Sequence, residues 1–155
     1  MDPTPAARHR IGGALVALQF GLIAALAWLA GPSLLGLAAP AAAWALLLAS
    51  AAMGLWALQA NPPGNFNIRP APRDGGALVQ HGPYRWIRHP MYTSVGAFAA
   101  GCAVAAGSAA AAVAAGMLGA VLLGKAFMEE RWMAERHPAY AGYRARTWRF
   151  VPGLF

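Results

Sequence analysis

Two long stretches without charged side chains organise this chain. Residues 11–68 contain no Asp, Glu, Lys or Arg, and a second uncharged run covers residues 90–124. A helix needs about 20 predominantly apolar residues to cross the hydrocarbon core of a bilayer. The pattern therefore predicts an all-α integral membrane protein with about four transmembrane helices.

The first uncharged stretch is long enough for two helices. Residues 11–30 carry one strongly polar side chain, Gln19, and predict the first crossing. The segment Gly31-Pro32-Ser33 favours a turn, because proline cannot donate to the helical hydrogen-bond ladder. A second helix is expected over about 34–59, followed by a loop over 61–90 that is rich in proline and glycine.

The second uncharged stretch would be about 50 Å long as one straight helix, which exceeds a single perpendicular crossing. It divides near Gly107 and Ser108, so we expect a hairpin of two helices over about 91–106 and 108–127. The remaining residues, 128–155, are then a C-terminal segment on the same side of the membrane as the 61–90 loop.

Composition and charge support this interpretation. Of the 155 residues 59% are hydrophobic and 11% are charged, which leaves too little polar surface for a water-exposed globule. The net charge of +7 comes from short basic clusters beside the apolar spans, a pattern that indicates membrane headgroups as partners and no nucleic acid. The basic segments predict that both termini are cytoplasmic, and we expect a single membrane domain over 1–155.

The expected hairpin brings two polar groups together. Its entry and exit lie on one side of the membrane, so the residues before the third helix approach those that end the fourth. The side chains concerned are Arg88, His89, Tyr92, Lys125, Glu129 and Glu130. Carboxylates suit an ammonium group or ribose hydroxyls and arginine suits a carboxylate, although snorkelling arginines and ordinary ion pairs would also explain these residues.

Other classes of site are poorly supported. The spacing of His81, His89 and His137 matches no common set of metal ligands, so no metal site is predicted. No glycine-rich phosphate-binding loop follows a predicted strand, which excludes a soluble nucleotide-binding fold.

One segment resembles a known family. Residues 82–92, GPYRWIRHPMY, are similar to the GPYR-x-x-RHPxY segment of the isoprenylcysteine carboxyl methyltransferase and phospholipid N-methyltransferase superfamily. The resemblance includes residues 65–70 upstream, the Glu129-Glu130 pair, and a tail with Tyr140, Tyr143, Arg149 and Pro152. It departs from the family at His137-Pro138, where many members have Phe-Gly.

The resemblance implies an S-adenosylmethionine-dependent methyltransferase with a lipophilic acceptor, such as an isoprenylcysteine-type carboxylate or a lipid amine. The candidate cofactor-binding residues are Tyr84, Arg88, His89, Tyr92, Glu129 and Glu130. The catalytic candidates are Glu130, as a base for an amine acceptor, and Lys125, which would orient an anionic acceptor.

Two other hypotheses remain open at this point. Membrane reductases of the sterol type, which use NADPH, also resemble the Arg-His-Pro-x-Tyr segment, although the paired glutamates favour methyl transfer. A non-catalytic membrane scaffold would account for the apolar helices and basic loops but not for the polar cluster.

Overall fold

The computed structural model describes residues 5–63, 65 and 77–154, and the regular elements of this part are all helices. Residues 66–70 of the resemblance lie outside it, as does much of the 61–90 loop. The elements are α1 (Pro5–Leu35), α2 (Ala41–Ala60), a 3₁₀ turn (Gly82–Arg85), α3 (Pro90–Ala106), α4 (Ala109–Arg136) and α5 (Tyr140–Ala145).

The turn after the first helix lies later than the sequence predicted. Pro32 is inside α1, where it removes one N–H from the last turns of the ladder. The helix ends where Leu37 adopts a left-handed φ of 53°, while Ala38 N donates to Ser33 O at 2.9 Å. This arrangement satisfies the final carbonyls of the helix. The predicted break at 31–33 is therefore wrong, and α2 begins after Pro40 rather than at 34.

The second uncharged stretch forms two helices, as expected. Gly107 ends α3 with a left-handed φ of 58°, and the Ser108 hydroxyl caps α4 by accepting from Ala111 N at 3.2 Å. The fourth helix is longer than predicted and continues past 127 to Arg136. Good helix formers continue through this region, and the first proline after it is Pro138, so nothing stops the helix earlier. The 128–155 segment is thus helical at its start.

Helix α3 is central, because α1, α2 and α4 all pack against it. Its contact with α2 is close: Ser50 and Ser94 each donate a hydroxyl to the other's backbone carbonyl at 2.8 Å. A Cβ at Gly101 would lie 3.3 Å from the carbonyl of Ala43, so a larger residue would separate these helices. These contacts fix α3 against α2.

The outer surface is apolar. Trp28 is 78% exposed and Leu48 is 70% exposed, as expected of side chains that face lipid. Three helices, α1, α2 and α4, are long and apolar enough to cross a membrane, whereas α3 is a shorter apolar helix of 17 residues. The protein is an integral membrane protein, while a fourth crossing by α3 and the cytoplasmic orientation of the termini stay predictions.

Candidate functional site

The C-terminal tail pairs with the segment that leads into α3. Trp148 N donates to Trp86 O at 2.8 Å, Arg88 N donates to Trp148 O at 2.8 Å, and His89 N donates to Arg149 O at 3.1 Å. The Thr93 hydroxyl extends this pairing by donating to the next tail carbonyl at 2.9 Å. The pairing places Arg149 beside His89, although 60 residues separate them in sequence.

Glu130 is the centre of a buried ionic cluster, the Glu130 hub, formed with Arg88, His89 and Arg149. Arg88 Nε and Arg149 Nε each donate to Oε1 at 2.9 Å, and Arg149 donates to Oε2 at 3.0 Å. His89 Nε2 lies 3.2 Å from Oε1. The Glu130 side chain is only 4% exposed, so two guanidinium groups replace the water that the carboxylate loses.

Glu129 lies in different surroundings. Its side chain is 35% exposed, and its Oε2 accepts a hydrogen bond from the Tyr92 hydroxyl at 3.0 Å. His89 Nδ1 is 3.7 Å from the same oxygen. The rings of His89 and Tyr92 are stacked, with centroids 5.3 Å apart and planes 5° from parallel. A partly exposed carboxylate thus stands beside two stacked aromatic rings, and its charge is suited to binding a cation.

Tyr84 lies at the edge of this group. Burial and, second, the negative charge of Glu129 raise the pKa of its phenol to about 12. The backbone carbonyl of Tyr84 accepts from the Tyr143 hydroxyl at 2.8 Å, which attaches α5 to the 3₁₀ turn.

Lys125 lies deeper, one helical turn before Glu129. Its side chain is among the most completely buried, at 1% exposure, and its ammonium donates to Gln19 Oε1 at 2.5 Å. The same ammonium lies 5.1 Å from the centroid of the Tyr92 ring. Lys125 therefore contacts the site through the Tyr92 ring.

An apolar cavity of about 280 Å³ adjoins the site. The Phe150 ring separates the two, with its centroid 5.8 Å from that of His89. The cavity lies between α2, the 3₁₀ turn, the start of α3 and the tail, and is lined by Met53, Trp56, Pro83, Trp86, Ile87, Thr93, Phe150, Val151 and Pro152.

The structure brings together the side chains that the sequence placed at the two ends of the hairpin. Sequence reasoning missed two residues of the assembly, Gln19 and Arg149. Gln19 could have been found as the strongly polar residue in the first apolar stretch. Arg149 was named as part of the family-like tail, but its contact with Glu130 depends on the pairing with residues 86–89, which the sequence does not show.

Comparison with known proteins identifies the family of this chain. The apolar helices and a family match together place the chain in a class, that of membrane methyltransferases. The model of the phospholipid methyltransferase family matches residues 41–140, and the chain belongs to this family, within the superfamily that includes the isoprenylcysteine carboxyl methyltransferases. No curated protein and no solved structure matches the chain. The predicted resemblance is therefore confirmed, and the reductase and scaffold hypotheses are not favoured.

Proposed function

We propose that the protein transfers a methyl group from S-adenosylmethionine to a lipophilic acceptor at the membrane interface. The observation that carries the proposal is the accessible Glu129 carboxylate beside the stacked rings of Tyr92 and His89. When bound, S-adenosylmethionine supplies an activated methyl group on a sulfonium cation. A partly exposed carboxylate recognises such a cation through its charge, so the donor set fits this cofactor.

The two glutamates have different roles in this proposal. Glu129 binds the positive charge of the methyl donor, and Tyr92 orients its carboxylate. Glu130 holds Arg88, His89 and Arg149 in place, since both of its oxygens already accept hydrogen bonds from these residues. A base needs an oxygen that can reach the substrate proton. Glu129 is therefore a better candidate than Glu130 if the acceptor is an amine, and a carboxylate acceptor requires no base.

The apolar cavity supports a lipophilic acceptor. Its volume of about 280 Å³ is close to the lower end of typical ligand sites, roughly 300 Å³. It would therefore hold part of an acyl or prenyl chain rather than a whole lipid. Phe150 lines the cavity and its ring lies against His89, which would keep the reactive end of such an acceptor close to the polar cluster.

The test is calorimetric titration of the detergent-purified protein with S-adenosylmethionine and, separately, with NADPH. We expect saturable binding of S-adenosylmethionine and none of NADPH. Glu129→Gln should weaken this binding about tenfold or more, because it removes a charge that contacts the cation. The matched control is Glu135→Gln, the same substitution on the same helix at an exposed ion pair with Arg131.

Each alternative result has a defined meaning. Binding of NADPH alone would favour the reductase, and binding of neither ligand would favour the scaffold. Loss of S-adenosylmethionine binding in Glu135→Gln but not in Glu129→Gln would place the donor on the outer face of α4 and refute the proposed site.

A further inference from the structure

A polar connection crosses from α1 to the candidate site. Gln19 on α1 is 6% exposed and accepts a hydrogen bond from the Lys125 ammonium at 2.5 Å. The ammonium lies 5.1 Å from the centroid of the Tyr92 ring, and the Tyr92 hydroxyl donates to Glu129 at 3.0 Å. Four side chains from α1, α4 and α3 thus form a continuous series that ends at the accessible carboxylate.

The burial of Lys125 limits what it can do. A charged side chain within a membrane-spanning helix is costly to insert, and such residues usually have a function. At 1% exposure, however, the ammonium cannot touch an acceptor or a methyl donor in this arrangement. The expectation that Lys125 orients an anionic acceptor directly is therefore poorly supported by its position. Any effect it has on the reaction must pass through the groups it contacts.

We propose that Gln19 and Lys125 are positioning residues for the methyl-donor site, an inference that rests on the proposed function. The hydrogen bond to Gln19 holds the ammonium beside the Tyr92 ring, at a distance where a cation and an aromatic ring attract. The ring is thereby restricted, and its hydroxyl fixes the Glu129 carboxylate. Gln19 lies outside residues 41–140 that match the family, so this part of the site comes from the chain's own first helix.

The experiment is a double-mutant cycle with S-adenosylmethionine affinity as the readout. Gln19→Met and Lys125→Met are straight-chain replacements that remove the polar contact at each end. Each should weaken binding roughly twofold to thirtyfold, the range from an exposed to a desolvated cation–π contact. If Gln19 acts through Lys125, the double variant should bind no more weakly than the weaker-binding single variant. Gln19→Glu should keep wild-type affinity, because its carboxylate also accepts from the ammonium.

The control is Ser50→Ala, which removes a buried hydroxyl contact between α2 and α3. Ser50→Ala should lower stability without changing affinity for the donor. Gln19→Met would behave in the same way if the role of Gln19 were purely structural. Additive losses in the cycle, or unchanged affinity in both single variants, would overturn the positioning role alone. Wild-type protein that binds no S-adenosylmethionine would instead overturn the proposed function and this inference with it. Should Lys125→Met fail to fold, equal affinities of Gln19→Met and Gln19→Glu would refute the role.

Discussion

Replacing Glu130 by Gln should destabilise the protein far more than replacing its neighbour. The amide keeps the shape of the side chain but removes the negative charge that Arg88 and Arg149 share. Both guanidinium groups are nearly buried, with side chains 8% and 9% exposed, so neither can turn fully to water. The substitution leaves two like charges together without their common counter-ion, which is the costly way to break a buried ion pair.

The size of the effect follows from this geometry. Removing one partner of a buried ion pair costs about 3–5 kcal/mol. Arg144, whose side chain is 58% exposed, lies 4.0 Å from Glu130 Oε2, so the hub is close to water on one side. Access to water favours the lower end of this range of energies, and we expect Glu130→Gln to lower the free energy of unfolding by about 3 kcal/mol. Glu129→Gln should cost less than about 1 kcal/mol, because its carboxylate is partly exposed and bonded to a neutral hydroxyl.

The assay is denaturant titration in detergent, followed by circular dichroism, with Glu135→Gln as the control for losing one charge from α4. That control breaks an exposed ion pair of 3.7 Å and should change stability by less than about 1 kcal/mol. Equal losses for Glu129→Gln and Glu130→Gln would refute the assignment of the structural role to Glu130. A stable Glu130→Gln protein that fails to bind the methyl donor would return Glu130 to the binding site.

Two further predictions concern the segment before α3. Gly82 has a left-handed φ of 57°, and an added Cβ would lie 2.7 Å from the Cβ of Ala60, so Gly82→Ala should lower stability by about 1–2 kcal/mol or more, measured by the same titration. The pKa of Tyr84 is raised to about 12 by burial and then by Glu129, so the folded state holds this proton more tightly than the unfolded state. Its contribution to stability is complete below pH 10 and should be lost between pH 10 and 12; an unchanged pH profile in Tyr84→Phe would contradict this.

The helices were predictable because the constraint on them is simple. A stretch without charges that is long enough to cross a bilayer has few alternatives to a helix. The ends were less predictable, since Pro32 marks a turn in most contexts yet lies inside α1, and the chain reverses five residues later at the non-glycine Leu37. A single proline removes only one helical hydrogen bond, so it does not have to end a helix. The hydrogen bonds that end α1 around Leu37 form only in the folded turn, and no local sequence pattern predicts them.

The site was predictable as a set of residues but not as an arrangement. Topology alone indicated that His89 and Tyr92 approach the paired glutamates, because the ends of a helical hairpin lie together. The partners from distant segments could not be inferred. Arg149 reaches Glu130 only because the tail pairs with residues 86–89, an irregular contact without periodicity. The Gln19–Lys125 contact joins residues 106 positions apart and depends on the packing of α1 against α4.

Adjacent glutamates on one helix are not interchangeable, because consecutive helical side chains point about 100° apart. Glu130 therefore faces the tail and the two arginines, while Glu129 faces Tyr92 on α3. The negative charge of Glu130 is neutralised by Arg88 and Arg149, so the Glu129 carboxylate is the accessible negative charge of the pair. A cationic donor needs such a charge, and the hub keeps the neighbouring His89 ring stacked on Tyr92 beside it. Helix geometry thus decides that Glu129 presents the accessible charge and Glu130 holds the arginines. For the two carboxylates to exchange surroundings, α4 would have to rotate against α3.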